Sequence, residues 1–122
     1  MGGRVLLIED EPNIIEAIRF ILSRDGWVVD VHSDGATALD AVARRSPDVI
    51  ILDVMLPNRS GYDILADLRA ADGTRDLPVL MLTARGQKQD REMAERYGAS
   101  RFMTKPFSNS DVLTSVRELV GS

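Results

Sequence analysis

The sequence predicts an α/β domain in which a five-stranded parallel sheet is covered by helices on both faces. Three observations point there. Short β-like runs alternate with helix-length amphipathic segments along the whole chain, the pattern that crossover connections impose on parallel strands. Three of those runs are apolar throughout, as expected of strands covered on both faces. No low-complexity stretch or long linker interrupts the 122 residues, a length that suits one domain with a substantial core.

The first strand candidate is Val5–Ile8, apolar at every position. A helical pattern near 13–24 follows, with Ile14, Ile15, Ile18, Ile21 and Leu22 on one face. The second candidate, Trp27–His32, alternates: Trp27, Val29 and Val31 lie on one side, Asp30 and His32 on the other, and only Val28 breaks the pattern. A helix near 35–45 leads to the third strand, Val49–Asp53, and a helix near 61–71 to the fourth, Val79–Thr83. The helix near 88–97 is different, because from Gln87 to Tyr97 only Met93, Ala94 and Tyr97 are apolar. Burying so little surface, it should be loosely anchored. The fifth strand candidate, Arg101–Thr104, is short and charged, and the last helix, near 109–120, gathers Val112, Leu113, Val116, Leu119 and Val120 on one face.

Uniformly apolar strands belong inside a parallel sheet, and alternating or charged ones at its edges. Strands one, three and four are therefore central, with two and five outside. That is the order 2-1-3-4-5 of the flavodoxin-like fold, a (βα)5 three-layer sandwich. The domain takes in residues 1–122, of which residues 1–3 read as an appended N-terminal stretch.

Composition excludes several functions. Fifteen Lys and Arg stand against nineteen Asp and Glu, for a net charge of -4, with no basic block. This segment is not expected to bind nucleic acid or an anionic membrane. The absence of cysteine removes disulfides, thiolate catalysis and cysteine zinc sites. Apolar runs such as Val49 to Leu52 are far too short to span a bilayer. Met1-Gly2-Gly3-Arg4 leads into the first strand without the pattern of a signal peptide. A cytoplasmic location is the expectation.

In an open α/β sheet, ligands sit beyond the carboxyl ends of the strands. Strand one ends in Glu9-Asp10, strand three in Asp53 and strand four in Thr83, while strand five leads into Lys105. Taken singly, each has a structural explanation: Asp10 could cap the first helix ahead of Pro12, Asp53 could start a turn, Thr83 could be a β-branched strand residue, and Lys105 could be solvated. Their joint arrival at one sheet edge is hard to ascribe to chance. Crowded carboxylates repel unless a cation neutralises them, and a few hard oxygen donors that leave room for water and phosphate oxygens suit Mg²⁺ better than zinc. An Asp beside Mg²⁺ can attack a phosphoryl group. Lys105 and Thr83 could then contact the phosphoryl oxygens, with Ala84 leaving the approach open.

Four stretches in order, Val5-Leu6-Leu7-Ile8-Glu9-Asp10-Glu11, Asp53-Val54-Met55-Leu56-Pro57 with Gly61, Leu82-Thr83-Ala84-Arg85 and Lys105-Pro106-Phe107, resemble the receiver domain of bacterial-type response regulators. The resemblance covers essentially the whole chain. Receivers are themselves an example of the 2-1-3-4-5 order, so that order is no separate indication. By this resemblance Asp53 would accept a phosphoryl group from a phosphohistidine on a sensor histidine kinase or a histidine phosphotransfer protein. Asp10 and Asp53 would bind Mg²⁺, with Mn²⁺ able to substitute. The backbone carbonyl of Met55 would join them, and Glu9 would complete the acidic pocket through a metal-bound water. Thr83 and Lys105 would hold the phosphoryl group. Thr83 and Phe102 would form the switch, and Met55 and Arg85 would tune the lifetime of the phosphate. The face made by the fourth helix, fifth strand and fifth helix would meet a downstream effector domain or target protein. Such a domain promotes its own phosphorylation and dephosphorylation without turning over an external substrate. Lys105-Pro106 is expected to be cis by the same resemblance.

One departure concerns dimerisation. Family members linked to DNA-binding domains often carry two acidic residues after the position of Gly98-Ala99, and these help build a symmetric dimer. Ser100 and Arg101 stand there instead, which puts a homodimer through that face in doubt. Three rival readings fit less well. A Mg²⁺-dependent aspartyl-nucleophile phosphohydrolase needs an Asp two residues after the nucleophile, where Met55 stands. A flavin carrier needs a Ser-, Thr- and Gly-rich first loop, and Glu9-Asp10-Glu11-Pro12 would repel its phosphate. A degenerate receiver that only binds partners would not need the complete acidic pocket. His32, Trp27 and Phe20 read as structural residues.

Overall fold

The computed structural model describes residues 2–84 and 88–121. The elements run β1 (Arg4–Ile8), α1 (Pro12–Arg24), β2 (Val28–His32), a 3₁₀ turn (Gly35–Thr37), α2 (Ala38–Arg45), β3 (Val49–Asp53), α3 (Gly61–Ala70), β4 (Val79–Thr83), α4 (Lys88–Tyr97), β5 (Arg101–Thr104) and α5 (Asn109–Val120). All strand pairs are parallel, in the order β2-β1-β3-β4-β5. The flavodoxin-like expectation holds. One element differs: the segment near 35–45 begins as a 3₁₀ turn, because Asp34 accepts the Ala36 N–H and starts a tight turn before α2. At the other edge Gly3 already takes part in pairing, its carbonyl accepting the Val28 N–H at 2.9 Å.

Strand pleating sorts the core into two halves. Val5 and Leu7, Val49 and Ile51, and Leu80 and Leu82 pack with Ile18, Ile21 and Leu22 of α1 and Val112 and Val116 of α5. Leu6 and Ile8, Ile50 and Leu52, and Val79 and Met81 pack with residues of α2 and α3 and with Ala94 of α4. Trp27 is buried in the first half, as its alternation predicts. Phe20 is not a packing residue: it is 60% exposed, with the Arg24 guanidinium over its ring. It lies one step off the buried stripe of α1. His32 is structural, its ring 2.7 Å from the Thr37 hydroxyl.

Helix α4 is anchored unequally along its length. Its only buried side chain is Ala94, and Met93 is exposed. At its C-terminal end Arg69 of α3 bonds the Gly98 carbonyl at 2.8 Å, the carbonyls of Thr74, Arg75 and Leu77, and the Ser100 hydroxyl. Gly98 has φ +92° and crowds the Arg69 stem, so a side chain there would be strained twice over. At the N-terminal end the Tyr62 hydroxyl approaches the Asp90 carbonyl at 3.5 Å.

Removing the guanidinium would take this donor from the part-buried carbonyls of Thr74, Leu77 and Gly98 at once. Arg69→Met is expected to lose about 2–4 kcal/mol in urea unfolding. Arg75→Met, which breaks only an exposed pair with Asp72, should stay within about 0.5 kcal/mol.

Candidate functional site

The register aligns the carboxyl ends of the central strands. Ile8 sits beside Leu52, Leu52 beside Met81, and Met81 beside Phe102. Pleating then separates the polar groups by face. Glu9 continues the row of Val5 and Leu7, Asp53 that of Val49 and Ile51, and Lys105 that of Met103, all on the side of α1 and α5. Thr83 continues Val79 and Met81, and Phe102 packs with that same half, on the side of α4. The charged cluster and the Thr83–Phe102 pair are thus set on opposite faces of one sheet edge.

Glu9, Asp53 and Thr83 are buried, and Asp10 is exposed at the rim. The Lys105 ammonium lies 3.0 Å from Glu9 Oε1, 3.3 Å from Asp53 Oδ1 and 3.3 Å from Glu11 Oε1. Glu9 Oε2 accepts the backbone N–H groups of Asp10 and Glu11 at 3.1 Å each. Glu9 Oε1 faces the ammonium at 3.0 Å and has no other donor among the described residues. The strand-to-loop connection is tight at Gly61, where a Cβ would come within 2.2 Å of the Asp53 carbonyl oxygen. Only glycine lets α3 begin that close to Asp53. The β3–α3 loop is fastened on its far side by Asn58, which donates to Asp34 at 2.9 Å, and by the Pro57 carbonyl, which accepts from Gly35.

Burial, and next the charge of Glu9, push the Asp53 carboxyl up to about 6, an effect that Lys105 only partly offsets. Burial alone would lower Lys105, but its contacts with Glu9 and Asp53 hold it above the usual lysine range. Three carboxylates, Glu9, Glu11 and Asp53, face one ammonium, and the Asp10 carboxylate lies beside Glu9 and Asp53. Glu9, Asp10 and Asp53 each offer an oxygen within 4.8 Å of the others. With one ammonium to balance them, these hard oxygen donors are under-neutralised and fit a small divalent cation.

At the Thr83 side of this sheet edge a cavity of 380 Å³ is lined by Val54, Met55, Thr83, Ala84 and Asp90. A cavity of 730 Å³ lies along the flank of α1 around Phe20, but it does not contain the carboxylate cluster, so volume does not locate the chemistry. Met55 is 75% exposed at the mouth. Phe102 is half-buried, with the Arg91 guanidinium 5.6 Å from its ring centre. Lys105-Pro106 is cis. Arg85 lies outside the described residues. The sequence reading gave no role to Glu11, although it sits in the acidic motif, or to Asp90, which only the helix register brings to the cavity wall.

Fold and cleft together define a flavodoxin-like domain with an acidic, cation-fitting site at the carboxyl edge of its sheet. A family model described as the response regulator receiver domain matches residues 5–117, and the chain belongs to that family. It is 43% identical over 116 residues to the transcriptional regulatory protein KdpE of Mycobacterium tuberculosis, covering 95% of this chain and 50% of that protein. It is 37% identical over 120 residues to the phosphate regulon transcriptional regulatory protein PhoB of Escherichia coli, covering 98% and 52%. The chain therefore spans about half the length of these relatives. Among solved structures, the receiver domain of the sensor histidine kinase PA1611 from Pseudomonas aeruginosa, described with a magnesium ion in its active-site cleft, superposes with a TM-score of 0.90 at 30% identity over 100% of both chains. No helix among the described residues is long and apolar enough to cross a membrane.

The raised Asp53 value has a stability consequence. The folded chain holds this proton more tightly than the unfolded one, so the contribution of Asp53 to stability falls as pH rises from 3.8 to about 6. In chelator, Asp53→Asn should be more stable than wild type by about 1–3 kcal/mol above that window. The gain should vanish at the acid end. Urea unfolding across pH checks this, and a gain that does not change with pH contradicts it.

Proposed function

We propose that this domain takes a phosphoryl group onto Asp53 from a phosphohistidine on a sensor histidine kinase or histidine phosphotransfer protein, in a Mg²⁺-dependent reaction of the cytoplasm. The observation that carries this reading is the placement of Asp53. It ends a central strand, 3.3 Å from Lys105, among oxygen donors that fit a divalent cation, in a chain of the receiver family. The magnesium in the cleft of the PA1611 receiver supports the choice of metal, and Mn²⁺ should substitute.

Asp10, Asp53 and the Met55 carbonyl would hold the ion, with Glu9 behind them. When bound, it would neutralise the crowded carboxylates and draw Asp53 into its ionised form. An Asp53 oxygen attacks phosphorus while the bond to the donor imidazole breaks, and the leaving imidazole nitrogen takes up a proton. Lys105 and the Thr83 hydroxyl stabilise the charge on the transferred oxygens. Met55 and Arg85 set how long the phosphate survives. The reaction uses up the acceptor, so the domain is a switch that modifies itself and not a turnover enzyme.

Drawing Thr83 toward the phosphoryl group vacates space beside β4, which Phe102 fills from its half-buried position. Helix α4, with one buried side chain, is the neighbour most easily repositioned. The α4–β5–α5 face then meets the effector domain or target protein.

Incubation with Mg²⁺ and acetyl phosphate or phosphoramidate is expected to give a base- and hydroxylamine-labile acyl phosphate. Asp53→Asn should abolish it, and Asp10→Asn should slow it. Undiminished labelling of Asp53→Asn would place the acceptor elsewhere. Mg²⁺ at millimolar concentration should shift the amide resonances of residues 10, 53 and 55.

Hydrogen exchange on the metal-free and beryllofluoride-bound forms should change chiefly between residues 84 and 107. Changes confined to the loops around Asp10 and Asp53 would rule out the route through Thr83 and Phe102.

A further inference from the structure

Glu11 is a helix N-cap by position but not by chemistry. Its backbone is extended, φ −80° and ψ 116°, as at an N-cap, yet its side chain makes no capping bond. Ser, Thr, Asp and Asn fill that role well, and glutamate does not. The carboxylate reaches instead to Lys105, on the opposite side of the cleft, with Oε1 3.3 Å from Nζ. The Glu11 amide is held by Glu9 Oε2 at 3.1 Å. The residue is therefore fixed at its backbone by one of the carboxylates around the ammonium, and its side chain supplies another.

The three carboxylates around Lys105 are unequal. Side-chain exposure is 0% for Glu9, 3% for Asp53 and 60% for Glu11. Glu11 is the outermost, and it closes the solvent side of a lysine that is itself only 11% exposed. An ammonium has three N–H groups to give, and three carboxylates already face it. An anion seated on Asp53 must take one of them over. The contact with Glu11, solvated and therefore weak, is the one released at least cost.

We propose that Glu11 is a positioning residue, which holds the Lys105 ammonium on the α1 side of the cleft and competes for it with any anion bound at Asp53. It acts through Lys105 and touches no reacting atom. The inference rests on the reading of Asp53 given above.

The test compares the whole chain as wild type, Glu11→Gln and Glu11→Asp. Beryllofluoride, standing in for the phosphoryl group, is titrated at saturating Mg²⁺ and followed by amide resonances. Glu11→Gln should bind about two- to fivefold more tightly, the size expected for losing an exposed ion pair. Glu11→Asp keeps the charge but is one methylene shorter, so it should follow Glu11→Gln if the contact matters. If it follows wild type, only the general field of the carboxylate is at work and the inference is overturned. In metal-free protein the Lys105 ε-methylene resonance should move in both variants, and an unmoved resonance also overturns it. Equal affinities in all three proteins overturn this inference alone. A wild type that binds no beryllofluoride overturns the Asp53 reading and the inference with it.

Discussion

The interaction on which the rest depends is that of the Lys105 ammonium with the carboxylates at the ends of β1 and β3. A parallel sheet brings all its carboxyl ends to one edge, so residues that end adjacent central strands must meet whatever their charge. Here they are Glu9 and Asp53, both buried. Without a cation beside them, ionising both would be strongly unfavourable. Lys105 reaches them from beyond β5, on the edge of the sheet. The neutralisation is incomplete, as the raised Asp53 value records. An under-neutralised cleft costs stability in the metal-free chain and creates affinity for a cation. Local frustration of this kind is what a binding site adds to a fold that is otherwise self-consistent.

The sheet was legible because burial on two faces leaves a coarse signal. Val5–Ile8, Val49–Leu52 and Val79–Leu82 are apolar without interruption, and that alone sets them in the middle. The site was legible because its residues stand at strand ends, where chain position and spatial position coincide. What escaped the sequence depends on side-chain reach or on helix rotation. Phe20 is a large apolar residue on an amphipathic helix, yet it lies just off the buried stripe and faces out. Arg69 looks like an ordinary surface residue at the end of α3, but folding brings the carbonyls of Thr74, Arg75, Leu77 and Gly98 to its guanidinium. Glu11 reads as one more acid in a motif, because its partner is 94 residues away.

The weakness of α4 gains meaning from its asymmetry. Low apolar content alone would predict fraying throughout. The Arg69 contacts instead secure the turn at Gly98 and Ser100, where the chain enters β5. The opposite end has a marginal contact from Tyr62 and stands beside the cavity that Thr83 and Asp90 line. A helix bonded more firmly at one end would respond to a change at the other by tilting about its bonded turn. On the proposed reading the end with fewer contacts among the described residues is the one nearest the phosphoryl group, and the motion would be carried toward the face that bears Phe102.

The pleat explains why one edge can serve both chemistry and readout. Adjacent residues of a strand point to opposite faces. Asp53 and Lys105 therefore share the α1 and α5 side, while Thr83 and Phe102 share the α4 side. Thr83 is the connecting point. Its carbonyl accepts the Lys105 N–H at 2.8 Å, tying its backbone to the strand that delivers the ammonium, while its side chain belongs to the other face. On the proposed reading a group bound at Asp53 would need only to draw on Thr83 to be felt across the sheet. The central strands, buried on both sides, need not deform. On the proposed reading the response would fall instead on β5, a four-residue edge strand with one buried residue, and on the helix beside it, whose one buried side chain is Ala94.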